Sequence, residues 1–384
     1  MRENRNVYIN NIAAFLPNEP VDNATMESVL GQVGERPSRA KKLILRSNKI
    51  KQRYYAIDPA TGETTHTNAQ LTAEAIRKLN NETFDIASID LLACGTTMPD
   101  QTLPNHALMV HGELAIPPCE VIATSGICLS GTMAMKYGYL SVLSGETSNA
   151  VATGSENASA VMRGRNFAGE LESRIADLQN HPEIAFEKDF LRWMLSDGAG
   201  AVLMSDTPNP EGISLKIEWI FQKSYANELE TCMYAGCEKM PDGSVKGWRE
   251  FTPEEWLSES IFSVKQDVKL LNEKIIEYTV EKPLRELMEK EAFNPDDIDY
   301  YLPHYSSGYF RDKVYEGMCK AGCDIPQERW FTNLPENGNT GSASIYIMLD
   351  ELFNSGRLKS GDQLLCYVPE SGRFSTAFIK LSVV

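Results

Sequence analysis

Short, unbroken apolar runs alternate along this chain with segments of helical periodicity, and that alternation narrows the possible folds more than any other feature. Val7 to Phe15 reads as a strand, and Asn68 to Asn80 as a helix with Leu71, Ala75, Ile76 and Leu79 on one face. Ile89 to Cys94 and Ala150 to Thr153 are compact enough for buried strands, with a helix ending near Ser144 between them. The rhythm returns after Asp206-Thr-Pro-Asn-Pro-Glu-Gly212: a strand from Ile213 to Trp219, a long helix carrying Val264, Val268, Leu271, Ile275 and Tyr278, and a strand from Ile298 into His304. Strands at Gln363 to Pro369 and Phe374 to Val383 close the chain. Strands and helices in this order specify an α/β protein whose mostly parallel sheet is covered by helices. A chain of 384 residues exceeds one small core, and the boundary falls at the Pro-rich turn, giving halves 1–208 and 209–384.

The formal charge of −16 argues against a nucleic-acid partner, because phosphate binding needs an excess of basic surface. The first ten residues lack the apolar run of a signal peptide and no stretch is long and apolar enough to span a bilayer, so a cytoplasmic protein with no membrane partner is expected. Eight scattered cysteines form no C-x-x-C pair, which leaves neither a zinc site nor a disulfide framework to expect, and no metal or cofactor. Residues 157–195 exceed what a connection needs. With a helix predicted near 169–179 and the aromatics Phe186, Phe190 and Trp193, they read as a cover over a functional site.

One cysteine stands where chemistry is easiest to build. Cys119-Glu-Val-Ile-Ala123 is strand-like, and Met133, Tyr137 and Leu140 recur at helical spacing, so Cys128 falls on a strand-to-helix junction. Unpaired amides at such an end carry partial positive charge and are expected to favour thiolate over thiol. Buried structural cysteines are common, but His304 at a strand end and Asn339 in a glycine-rich turn complete a set suited to acyl transfer through a thioester. Asn339 also fits as a turn residue tolerating positive φ, and His304 as a core histidine. Glu156, at the end of a strand in the same half as Cys128, is either a base of raised pKa or a carboxylate tied to nearby backbone.

These segments resemble the thiolase superfamily, and within it the ketoacyl-acyl-carrier-protein synthase III branch. The resemblance runs in register through Thr102-Leu-Pro-Asn105, the Cys128 elbow, Val151-Ala-Thr-Gly-Ser-Glu156, Ser196-Asp-Gly-Ala-Gly200, Leu302-Pro-His304, Gly338-Asn-Thr340 with Ala343-Ser344, and Ser371-Gly372. It implies a duplicated five-layer αβαβα fold, a homodimer, and Cys128 as the acylated nucleophile. His304 and Asn339 would bind the incoming carbonyl and stabilise an enolate. The amides of Cys128 and Ser371 would form the oxyanion hole, and Leu103 would reach the partner's acyl pocket.

Tyr305-Ser306-Ser307 replaces the family's Gln-Ala-Asn, and Leu43 or Ile44 stands where a coenzyme-A-stacking tryptophan is usual, favouring acyl carrier protein thioesters. Together with Pro369-Glu-Ser-Gly-Arg-Phe374 and the long insertion, these departures resemble ketosynthases of bacterial dialkylresorcinol and stilbene pathways, which join a β-ketoacyl and an α,β-unsaturated acyl thioester into a cyclohexanedione. A conventional decarboxylative synthase and a non-catalytic thiolase-fold subunit are the alternatives. Eight basic residues and no acidic one lie between Arg36 and Arg53; Arg46, Lys49, Lys51 and Arg53 among them are expected to dock the acidic carrier protein.

Overall fold

The computed structural model describes residues 5–33, 41–167 and 191–384. Nine strands share one sheet: β1 Tyr8–Phe15, β2 Leu91–Thr96, β3 Glu120–Ser125, β4 Asn149–Glu156, β5 Gly198–Ser205, β6 Leu215–Ser224, β7 Tyr300–Pro303, β8 Gln363–Glu370 and β9 Ser375–Val383. Their spatial order is β7-β8-β9-β6-β1-β5-β4-β2-β3. The last three at one end, β4, β2 and β3, run parallel, as β7 and β8 do at the other. The strands between pair antiparallel, so the sheet is more mixed than the alternation alone predicts.

The same order occurs twice. Counting within each part of the chain, strands run first, fifth, fourth, second, third outward from the centre. In the second part the third strand is reduced to a single parallel bridge between Tyr301 and Trp330. Along the sheet of the described residues, the two sets pair where Tyr8 and Ile9 meet Lys216 and Leu215.

Helices used below are α1 Asn68–Arg77, α2 His106–Leu114, α3 Ser130–Ser144, α4 Val268–Ile276, α5 Lys282–Glu289, α6 Arg311–Lys320 and α7 Ser344–Phe353. A capping box starts α1, with Thr67 accepting from the Gln70 amide while Gln70 accepts from that of Thr67. The long helix anticipated from Val264 begins later, at Val268, and passes through a π-helical stretch, Glu277–Glu281, into α5. The helix predicted at 169–179, with Phe186 and Phe190, lies outside the described residues.

Alternation along each strand separates the layers. Leu91 and Ala93 of β2 pack into one core with Ala134 and Met135 of α3 and Tyr346 and Leu349 of α7, whereas Leu92 and Cys94 face Leu71, Ile76 and Val110 of α1 and α2. In β8, Leu364, Cys366 and Val368 join the central core; Leu365 and Tyr367 face Leu271, Leu284 and Val314 on the opposite side. Helices therefore lie outside each set of strands and between the two sets, the layering that the five-layer fold requires. Truncating Leu349 to Ala at its centre would cost about 2–5 kcal/mol.

Candidate active site

Both central helices start without a cap from their own sequence, since neither Leu129 before α3 nor Ala343 before α7 supplies a side-chain cap. Amides at a helix start need acceptors, and each start finds one in the other set of strands. Glu156, last residue of β4, accepts from the Ser342 amide at 3.1 Å, ahead of α7. Glu370, last residue of β8, accepts from the amides of Ile127 at 3.0 Å and Leu129 at 3.3 Å, ahead of α3. Glycine makes room for both carboxylates: at Gly341, whose φ is +52°, a Cβ would lie 2.8 Å from Glu156 Oε1, and at Gly126 one would lie 3.2 Å from Glu370 Oε2.

Between these braces lies a cavity, and Cys128, His304, Asn339, Glu156 and Ser371 all line it. The three polar residues separated by up to 211 positions in sequence thus share one chamber. Its other walls are largely apolar, with Met162, Met194, Leu271, Ile275, Phe310 and Val314 among them. Part of the anticipated cover contributes: Leu191, Met194 and Leu195 line the cavity, while Trp193 is buried away from it in the adjoining core. The Ser196-Asp197 motif anchors this wall. Ser196 Oγ accepts from the Tyr54 amide at 2.9 Å, and Asp197 accepts from Ala56 at 2.6 Å and from the Ser159 amide at 2.8 Å.

Cys128 is half-buried between β3 and α3, as the junction predicts. Its acidity differs from expectation. Burial, then the carboxylates of Glu156 and Glu370, push the thiol well above its ordinary range. The helix-start amides do not overcome this, because Glu370 already occupies those of Ile127 and Leu129. At neutral pH Cys128 is therefore a neutral thiol, which would have to lose its proton to act as a nucleophile. His304, 4% exposed, has its pKa lowered to about 4 by burial, so at neutral pH its imidazole is uncharged and free to take a proton.

Asn339 is fixed on both sides: its amide donates to Met194 O at 3.0 Å, its carbonyl accepts from Ser196, and its side-chain Oδ1 accepts from Gly341 at 3.0 Å. With Oδ1 engaged, the Nδ2 protons are the group it has to offer a ligand oxygen. Glu156 has its pKa raised to about 7 by burial, against hydrogen bonds from Thr97 and Ser342. All of those bonds fall on Oε1, the Thr97 hydroxyl and amide included. Ser371 Oγ accepts from Gln266 Nε2 at 3.1 Å, holding the β8–β9 turn against the cavity wall.

The basic segment divides. Arg46, Lys49 and Lys51 are exposed, Lys51 in an ion pair with Glu336. Arg53 is not a surface residue: it is fully buried, donating to Asn23 Oδ1 and to Trp193 O, both at 2.6 Å. A guanidinium so enclosed braces the cavity wall and is unavailable to a docking partner. Lys49 packs against Gly308, beside the cavity-lining Phe310, which places that exposed cation next to the wall. Leu103 is 84% exposed and does not line the cavity of its own chain. Glu370 and Thr97 were not singled out from sequence; the available signal was that Glu370, like Glu156, is the acidic residue closing the fourth strand of its set.

Residues 288–377 match the family described as 3-oxoacyl-[acyl-carrier-protein] synthase III C terminal. A β-ketoacyl-[acyl-carrier-protein] synthase III of Clostridium perfringens is 27% identical over 321 residues, covering 82% of this chain and 83% of its own. A protein of the same description from a Sulfurovum species is 23% identical over 368 residues, covering 95% and 93%. Among solved structures, the tetronic acid condensing enzyme AbyA1 superposes with a TM-score of 0.73 at 20% identity over 98% of this chain and 99% of that one. Xanthomonas campestris OleA with bound lauric acid and lauroyl-CoA gives 0.73 at 19% identity over 99% of both. These likenesses establish the thiolase-like fold. Among the described residues no helix is long and apolar enough to cross a membrane.

Proposed function

We propose, from the premise that this chain belongs to the ketoacyl-acyl-carrier-protein synthase III family of the thiolase superfamily and is a condensing acyltransferase, that it joins a β-ketoacyl to an α,β-unsaturated acyl thioester and closes a cyclohexanedione. Glu156 carries this reading: a cavity-lining carboxylate with a pKa of about 7 suits removal of a carbon-bound proton at neutral pH. Cys128 attacks one thioester, its thiol proton passing to the departing thiolate. The β-ketoacyl substrate gives its α-proton to Glu156. The enolate, held by His304 and Asn339 Nδ2, adds to the unsaturated chain, and the enolate this leaves takes the proton back from Glu156. Glu156 then removes a proton from the γ-carbon of the β-ketoacyl chain, that carbanion attacks the other chain's thioester carbonyl to close the ring, and the expelled thiolate takes the proton to leave as thiol. The Cys128 and Ser371 amides receive the oxyanion.

Acyl carrier protein is the proposed donor, docking on Arg46, Lys49 and Lys51 beside the Phe310 wall. A homodimer belongs to the same reading. Strand β3 ends the sheet, and Leu103, Leu108 and Met109 stand exposed nearby, positioned to meet a second copy. The division into halves 1–208 and 209–384 is supported by the repeated strand order.

The names of the curated relatives favour a second reading, decarboxylative 3-oxoacyl-acyl-carrier-protein synthesis. There, loss of CO₂ generates the carbanion and no base is needed. Incubation with paired β-ketoacyl and enoyl carrier thioesters, followed by product identification, separates the two. A cyclohexanedione from the wild type and none from Glu156→Gln supports the first; turnover of malonyl thioester untouched by that substitution supports the second. A subunit with no chemistry of its own would show no acyl adduct on Cys128 by intact mass.

A further inference from the structure

We infer that Glu370 is a positioning residue for Cys128: it fixes the nucleophile's loop from the other set of strands and, by occupying the amides on either side, reserves the Cys128 amide for the substrate's oxyanion. This rests on the reading of Cys128 as the nucleophile.

Three consecutive amides lead into α3, those of Ile127, Cys128 and Leu129. Two of them converge on the same oxygen, Glu370 Oε2, at 3.0 and 3.3 Å. The amide between them is not on that carboxylate. An oxyanion hole needs a donor that is oriented and unoccupied, and bonding the residues on both sides orients the middle peptide without using it. The carboxylate can do this only because Gly126 and Gly372 flank it closely: a Cβ on Gly126 would lie 3.2 Å from Oε2, and one on Gly372 would lie 3.4 Å from Oε1.

Glu156 supplies an internal control. It closes the corresponding strand of the other set and braces the corresponding loop, but through a single amide there, that of Ser342, with its other partner Thr97 on its own side. Glu156 lines the cavity and Glu370 does not. Two carboxylates at equivalent strand ends therefore divide the work, one facing the reacting atoms and one facing the loop that carries the nucleophile.

The brace has an electrostatic consequence. The groups facing Cys128 are Glu156 from β4, Glu370 from β8 and His304 after β7, and both carboxylates oppose its ionisation. Burial raises the Glu370 carboxyl, while the two amide bonds hold it down. Through the alkaline range where the thiol ionises, Glu370 is a carboxylate. Its charge there disfavours the thiolate, while its oxygens organise the amide that stabilises the later oxyanion.

Glu370→Gln keeps an acceptor oxygen and removes the charge; Glu370→Ala removes both. The test reads Cys128 directly, by iodoacetamide alkylation across pH with peptide mapping, and by acyl loading from a carrier thioester followed by intact mass. In Gln the alkylation midpoint moves down by about one pH unit and loading stays within a few-fold of wild type. In Ala the midpoint also falls, but the loading rate drops about 10²-fold with little change in the half-saturating thioester concentration, as loss of one oriented oxyanion donor predicts. Thermal melts of both variants check the fold, and Gln keeps the test valid if Ala fails to fold. An unmoved alkylation profile in Gln overturns the inference, as does Ala loading at the wild-type rate. If the wild type takes no acyl group while the alkylation profile still shifts in Gln, the catalytic reading fails and the placement of Glu370 stands.

Discussion

The loops that lead into α3 and α7 occupy equivalent places in the two sets of strands but present opposite chemistry. Ahead of α3, a full six-residue strand, β3, delivers Cys128, a group that donates electrons to carbon. Ahead of α7, where the third strand has shrunk to the Tyr301–Trp330 bridge, the loop delivers Asn339, whose free amide protons withdraw electrons from a carbonyl. The repeated strand order thus sets a thiol and a carboxamide on the wall of one cavity. Each loop is braced by the other set's carboxylate, so neither is correctly held until both have folded.

The contrast can be broken most completely at the nucleophile. Cys128→Ala should remove the acyl adduct and lower condensation by at least ~10³-fold, read by intact mass and turnover; an unchanged adduct would place the acylated group elsewhere. On the polarising side, His304→Ala and Asn339→Ala should each slow carbon–carbon bond formation by about 10²- to 10³-fold while Cys128 still loads. Equal loss of loading and condensation would mean that these residues chiefly activate the thiol.

A smaller effect separates the two carboxylates. Turnover should rise with pH through about 7, because Glu156 acts as a base only once deprotonated, and His304, neutral above about 4, adds no limb in that range. Glu156→Gln should lose that limb along with ring closure. Folding retains the Glu156 proton to about pH 7, whereas the unfolded chain releases it near the ordinary glutamate value. Folded-state stability from this group is therefore lost as pH climbs through that interval and stays lost above it. The Gln variant should melt about 2–4 °C higher than wild type at pH 8 and show no such gain at pH 4. The smallest change is at the exposed segment: Arg46, Lys49 and Lys51 reversed together to Glu should slow carrier-dependent loading several-fold, more at low salt, and spare small acyl thioesters. Equal loss with both substrates would make the segment structural. Arg53 is excluded because its substitution would disturb the wall it braces.

Much of the fold was legible because its signals are local. Leu91 to Cys94 and Leu364 to Val368 are apolar on both faces, and only a strand with helices on each side buries both. Likewise, Cys128, His304 and Asn339 sit at the ends or starts of elements that periodicity marks on its own. The antiparallel centre of the sheet was less so, since pairing partners such as β1 and β5 are set by contacts nearly two hundred residues apart.

What sequence alone determined is the element that carries each candidate side chain, since strand and helix periods are written in neighbouring residues. Three features were left to the tertiary structure. Arg53 belongs to a basic run by position, yet it is buried, its Nη1 and Nη2 groups donating to Asn23 and the Trp193 carbonyl, brought from elsewhere. Cys128 is a neutral thiol because desolvation and two carboxylates from different strands outweigh the helix-start amides beside it. Glu370 touches the loop of a residue 242 positions earlier. Burial and electrostatics sum over whatever folding places within a few ångströms, and no window of sequence contains those neighbours.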